Sequence, residues 1–178
     1  MDVSGNQIST ISPLIGQLAD LKLLKANKCK LESVPNEIAQ LSHLHLIELK
    51  NNQLKSFLPK MLKHEILLHS LVTLDLSNNR LTAVPSALKH LPSLSNLFLA
   101  FNQITDLSKL CRPGFESLFV LDLSNNKLAS IPNAFAYYVK NAQNLNFANN
   151  DLAKFPHNIG LLPQIKTIQA QHSFNHFR

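Results

Sequence analysis

The chain has 178 residues, 45% of them hydrophobic, and a formal net charge of +6, enough for one domain with a sizeable core. No stretch approaches the roughly 18 consecutive apolar residues of a membrane span, and MDVSGNQIST has neither the basic nor the apolar region of a secretory signal. Four glycines are too few for phosphate-cradling loops, and the cations are spread thinly: eight Lys against six acids over 1–70, nine Lys or Arg against five beyond. No basic run of the kind that binds nucleic acid is present.

In chain order, one pattern recurs. Met1, Val3, Asn6 and Ile8 fill it first, then Leu24, Ala26, Cys29 and Leu31, then Ile47, Leu49, Asn52 and Leu54. Its clearest statement is Leu74-Asp75-Leu76-Ser77-Asn78-Asn79-Arg80-Leu81, repeated almost letter for letter at Leu121–Leu128. Leu97, Leu99, Asn102 and Ile104 stand between these two copies; Leu145, Phe147, Asn150 and Leu152 follow them. A degraded last copy has Ile168 and Ala170 but Ser173 and Asn175. Successive copies start 23, 23, 27, 23, 24, 24 and 23 residues apart. Alternating apolar residues predict a short strand with one face inward. The repeated Asn falls where the chain leaves that strand, and its amide can satisfy backbone groups of the neighbouring turn. Stacked copies then share a core that none could bury alone.

Between strands a second pattern appears as Val34-Pro35, Val84-Pro85, Ile131-Pro132 and Phe155-Pro156, followed by Ile38, Leu88, Phe135 and Ile159. It predicts a turn and a short helical or 3₁₀ segment with one apolar stripe inward. The 27-residue unit carries its extra residues within 58–69, as a slightly longer helix. The unit starting at Ile104 lacks this proline signature and uses Leu107, Leu110 and Phe115 instead.

The L-x-x-L-x-L-x-x-N-x-L segment with its following x-x-[IV]-P-x-x-[IL] resembles the intracellular leucine-rich-repeat class with units of about 23 residues, which includes Ras-suppressor-like and Scribble-like proteins. The resemblance covers the whole chain. It implies an α/β solenoid over 1–178 with about seven to eight repeats, the first and last incomplete. It further implies a curved horseshoe, a concave parallel sheet and a protein partner held in the concavity. Cys29 takes a ladder-asparagine position and Cys111 lies more than three repeats away, beyond disulfide reach. Flanking cysteine clusters are missing, and a cytoplasmic location is expected.

Motifs for catalysis are wanting. His64-Glu65-Ile66-Leu67-Leu68-His69 spaces its histidines five apart. On a helix that turns them about 140° from one another, where a zinc protease needs four residues and one face. No nucleophile elbow, phosphate loop or dinucleotide fingerprint occurs, so neither enzyme activity nor a cofactor or metal is expected.

Residues between the buried leucines should face the concavity. By register these are Leu23, Lys25 and Asn27; Leu46, Glu48 and Lys50; Thr73, Asp75 and Ser77. Next come Asn96, Phe98 and Ala100; Val120, Asp122 and Ser124; Asn144, Asn146 and Ala148; Thr167, Gln169 and Gln171. Lys25, Glu48, Lys50, Asp75, Phe98, Phe101, Asp122 and Asn146 are the candidate partner-binding residues. Asp75 and Asp122 also belong to the commonest form of the repeat. Phe98 is either an interface anchor or a residue packed on adjacent strands. Lys25, Lys28 and Lys50 make the N-terminal end of the concavity basic, either to steer an acidic partner or as a solvated edge. Three functions follow: a protein-interaction module, a recognition or autoregulatory segment of a larger enzyme or receptor, or a nucleic-acid binder exploiting the charge. Met1 falls directly on the first strand position and Phe177-Arg178 follow soon after the ladder fails. Further repeats in a parent chain, or end-to-end association, are therefore expected.

Overall fold

A computed structural model describes residues 1–58 and 68–173. The extra residues of the 27-residue unit and most of the His64–His69 motif lie outside the described residues. Seven parallel strands pair in sequence order: β1 Leu23–Lys25, β2 Leu46–Glu48, β3 Thr73–Asp75, β4 Asn96–Phe98, β5 Val120–Asp122, β6 Asn144–Asn146 and β7 Thr167–Gln169. Each is three residues long, and β1 to β6 present the middle residue to the core. Leu24, Ile47, Leu74 and Leu97 are fully buried, Leu121 and Leu145 nearly so. The first copy of the pattern forms only a bridge, Asp2 opposite Lys25, with the Val3 N–H donating to the Lys25 carbonyl at 2.9 Å.

Behind the sheet the prolines set up 3₁₀ turns. Pro35, Pro85 and Pro156 sit immediately before 36–40, 86–90 and 157–161, and Pro13 opens 13–17. A proline φ near −65° suits entry into a helical turn and needs no donor there. Among the described residues, only 135–138 closes as one turn of α-helix, here α1. In the unit without the [IV]-P signature, Leu107, Leu110 and Phe115 are buried, as expected. Toward the C-terminal end Phe147 meets Phe135 and Phe155 edge-on, with ring centroids 5.8 and 6.2 Å apart.

The repeated asparagines form a continuous ladder. Asn52, Asn79, Asn102, Asn126 and Asn150 are each buried. The Asn102 amide donates to the carbonyls of Leu76 and Leu99 at 3.0 Å, and its oxygen accepts the Leu81 N–H at 3.0 Å. The same set recurs in the other four, so each asparagine satisfies groups of the repeat before it. Ser173, which looked like a failure of the pattern, is fully buried and takes over part of this work. Its hydroxyl donates to the Phe147 carbonyl at 2.6 Å and accepts the Asn150 N–H at 3.3 Å. Cys29 does less: its thiol lies 3.4 Å from the Val3 carbonyl and carries no amide oxygen for the Ile8 N–H.

One expectation needs correcting. Ile168 and Ala170 fill the apolar positions of the last copy, but Ile168 is 38% exposed and Ala170 only half-buried, while Ile165 packs partly buried against the core. No further strand among the described residues pairs beyond β7. The opposite end also exposes apolar surface, with Leu14 65%, Leu18 48% and Met1 47% exposed.

Candidate functional site

Register aligns the second outward residue of each strand into one row across the concave face: Lys25, Glu48, Asp75, Phe98, Asp122, Asn146 and Gln169. Six of the eight candidate residues thus form a single line. Lys50 lies exposed just beyond β2, and Phe101 just beyond β4. Four positions expected to open on the concavity do not: Asn27, Ala100, Ser124 and Ala148 are buried. They sit where the chain bends off the strand, and three of them are small enough to be roofed by their neighbours.

At the N-terminal end of the row the polar groups satisfy one another. Lys25 Nζ lies 3.2 Å from Glu48 Oε1, and Asn27 Nδ2 donates to Glu48 Oε2 at 2.8 Å. The Asn27 oxygen accepts the Lys50 N–H at 3.0 Å. Asn27 is a bridge between strands that its place in the sequence did not suggest.

The aspartates have a local duty. The Ser77 N–H donates to Asp75 Oδ1 and the Ser124 N–H to Asp122 Oδ1, both at 2.9 Å. Asn146 accepts from the Ala148 N–H at 3.1 Å, and Asp2 from the Ser4 N–H at 3.0 Å. That backbone bond, strengthened by a side-chain contact with Ser4, holds the Asp2 carboxyl below its ordinary range. A short acidic or amide side chain at this position therefore closes the strand exit on itself. Phe98 cannot do so.

A second regularity went unread in the sequence. The residue just before each ladder residue has a left-handed backbone: Gly5, Lys28, Asn51, Asn78, Phe101, Asn125, Asn149 and His172, with φ between 52° and 75°. Glycine and asparagine tolerate this conformation, which explains the Asn-Asn doublets; a bulky aromatic does not. Phe101 adopts it at φ 54° while 58% exposed. The repeats of Lys25/Lys28 and Gln169/His172 also depart at both positions, but only the central one does so with two phenylalanines, Phe98 without a strand-closing bond and Phe101 in a strained backbone.

The strain can be measured. Phe101→Asn should raise stability by about 1 kcal/mol, the lower end of what a non-glycine residue in this region costs. Urea denaturation would check this. An unchanged or lowered midpoint would sink the strain assignment.

Among the described residues no group of three or more His, Cys, Asp or Glu is placed to hold a metal ion. Both cysteines are free thiols, and burial, then the Asp106 carboxylate, push the Cys111 thiol above its ordinary range. No helix among the described residues is long and apolar enough to cross a membrane.

An open parallel sheet in sequence order, 3₁₀ turns behind it and an asparagine ladder at the strand exits define a leucine-rich-repeat solenoid. A family model for two leucine-rich repeats matches residues 69–112, and a single-repeat model matches 117–137. Ras guanine nucleotide exchange factor V of Dictyostelium discoideum is 35% identical over 111 residues, 57% of this chain and 6% of that protein. Human leucine-rich repeats and immunoglobulin-like domains protein 3 is 32% identical over 116 residues, 65% of this chain and 10% of its own length. In structure, a leucine-rich-repeat protein of Leptospira interrogans is similar over 96% of this chain and 48% of its own, with a TM-score of 0.70 and 30% identity. The chain carries leucine-rich repeats, matched directly over residues 69–112 and 117–137. It spans less than half the length of each of these relatives.

Proposed function

We propose that the chain is a non-catalytic protein-interaction module that holds its partner on the concave sheet, with Phe98 and Phe101 at the centre of the contact. The observation that carries this reading is the central repeat. It places two phenylalanines where the commonest repeat has a strand-closing aspartate and a turn-forming asparagine, and Phe101 holds a strained left-handed backbone there. Local strain persisting at an open surface is a mark of function, and aromatic anchors near the middle of an interface supply much of its energy. Lys25, Glu48 and Asn146 then belong to the rim, where charges set orientation and rate more than affinity. Nucleic acid suits the face poorly, because Asp75 and Asp122 stand at its centre. Two free thiols accord with a reducing compartment, the cytoplasm.

A second reading has its own support. The chain matches only 6% and 10% of two relatives, so the module also fits as the recognition segment of a larger protein.

Cross-linking pull-downs from native lysate test the concave assignment. Phe98→Ala should abolish recovery of specific partners while costing no more than about 1 kcal/mol of stability, since the ring is half-buried on the face of the sheet rather than in the core. Tyr137→Ala, which removes an exposed aromatic of α1 on the convex side, should leave recovery intact. Equal recovery by wild type and Phe98→Ala, or loss with Tyr137→Ala alone, would move the interface off the sheet.

A further inference from the structure

Phe98 does not stand alone in its row. Asp75 and Asp122 are its in-register neighbours on either side, each about 4.8 Å away across one strand spacing. Among the described residues neither has an ion-pair partner, although the chain carries 17 Lys and Arg against 11 acids. Glu48, in the same row, is closed by Lys25. Each aspartate spends Oδ1 on the backbone N–H two residues on, which leaves Oδ2 for another donor. The other outward residues of β3, β4 and β5 are Thr73, Asn96 and Val120, none of them charged.

We propose that the β3–β5 surface receives a cationic side chain, an arginine or lysine carried on a segment of a protein partner, seated against Phe98 between Asp75 and Asp122. This deepens the concave-face reading above and rests on it. The argument is charge complementarity. An aromatic face carries negative quadrupole density, so ring and carboxylates attract a cation together. An anionic partner group would be repelled by all three. A purely apolar one would strip water from two carboxylates and return no hydrogen bond. Arginine fits better than lysine, because its planar guanidinium stacks on a ring while its edge donates to a carboxylate.

Asn146 shows how to remove the charge and keep the fold: as an amide it makes the same bond to the backbone two residues on. The variant Asp75→Asn/Asp122→Asn should therefore denature at the wild-type midpoint. The probe is a displayed library of random linear peptides selected on the wild-type protein. Selected peptides are expected to share a basic residue, to bind roughly tenfold more weakly to the double variant, and to weaken as salt rises. Replacing that basic residue with glutamine should lower affinity for wild type by a similar factor and leave affinity for the double variant almost unchanged. Peptides that need Phe98 but carry no cation, or that bind the double variant equally well, would overturn the cation proposal and leave the concave reading standing. Peptides indifferent to both Phe98→Ala and the double variant, or a library that yields no binder, would overturn both.

Discussion

Replacing Phe147 with alanine is expected to lower stability by about 3–5 kcal/mol, the largest effect of any single change considered for this chain. The side chain is fully buried and sits between two other rings, edge-on to Phe135 at 5.8 Å and to Phe155 at 6.2 Å. Truncation removes the ring's transfer free energy and both edge contacts, and it leaves a cavity that rigid strands on either side cannot close. Phe147 occupies the place that Leu49, Leu76, Leu99 and Leu123 take in other repeats. Phe147→Leu should therefore cost less than the alanine change, though the two partner rings lose their neighbour. Urea denaturation followed by circular dichroism would measure both. A loss below about 1 kcal/mol for Phe147→Ala would show that this end of the solenoid is loosely packed.

Asn102→Leu is expected to cost about 3 kcal/mol, from a different cause. Leucine is close to asparagine in size, so packing alone predicts little. The loss comes from what the amide leaves behind: the Leu81 N–H and the Leu76 carbonyl, both deep in the structure and both deprived of a partner. A buried polar group left unsatisfied costs about 1–3 kcal/mol, and here there are at least two. Because the stranded groups belong to neighbouring turns, amide hydrogen exchange should quicken at Leu81 as well as around position 102. An unchanged denaturation midpoint would remove the ladder as a source of stability.

Much of this was legible from spacing. A period of 23 to 27 residues with apolar alternation left one architecture, and the asparagine at each strand exit identified the ladder. Three features were not legible, each for a physical reason. Asn27 bridges Glu48 and the Lys50 backbone only because strand register brings the second and third repeats side by side. The left-handed residue before each ladder position was visible as Asn-Asn doublets, but its meaning needed the backbone torsion of Phe101 beside them. The double role of Asp75 and Asp122, closing their own strand exits while flanking Phe98, depended on hydrogen bonds that sequence period alone does not specify. Ser173 ran the other way: it read as decay and proved a working substitute, because one hydroxyl can both donate and accept.

The backward reach of the ladder makes the stack directional. Asn52 closes groups of the repeat that contains Ala26 and Leu31, Asn79 those of the repeat before it, and so on to Asn150. A chain leaving the ribosome presents its N-terminal repeats first, and each waits with open carbonyls and amides until the next one has been synthesised. Growth of the solenoid is therefore locked one unit behind translation. An interruption at any point leaves the newest repeat as the unfinished edge, while the seams already made upstream stay shut.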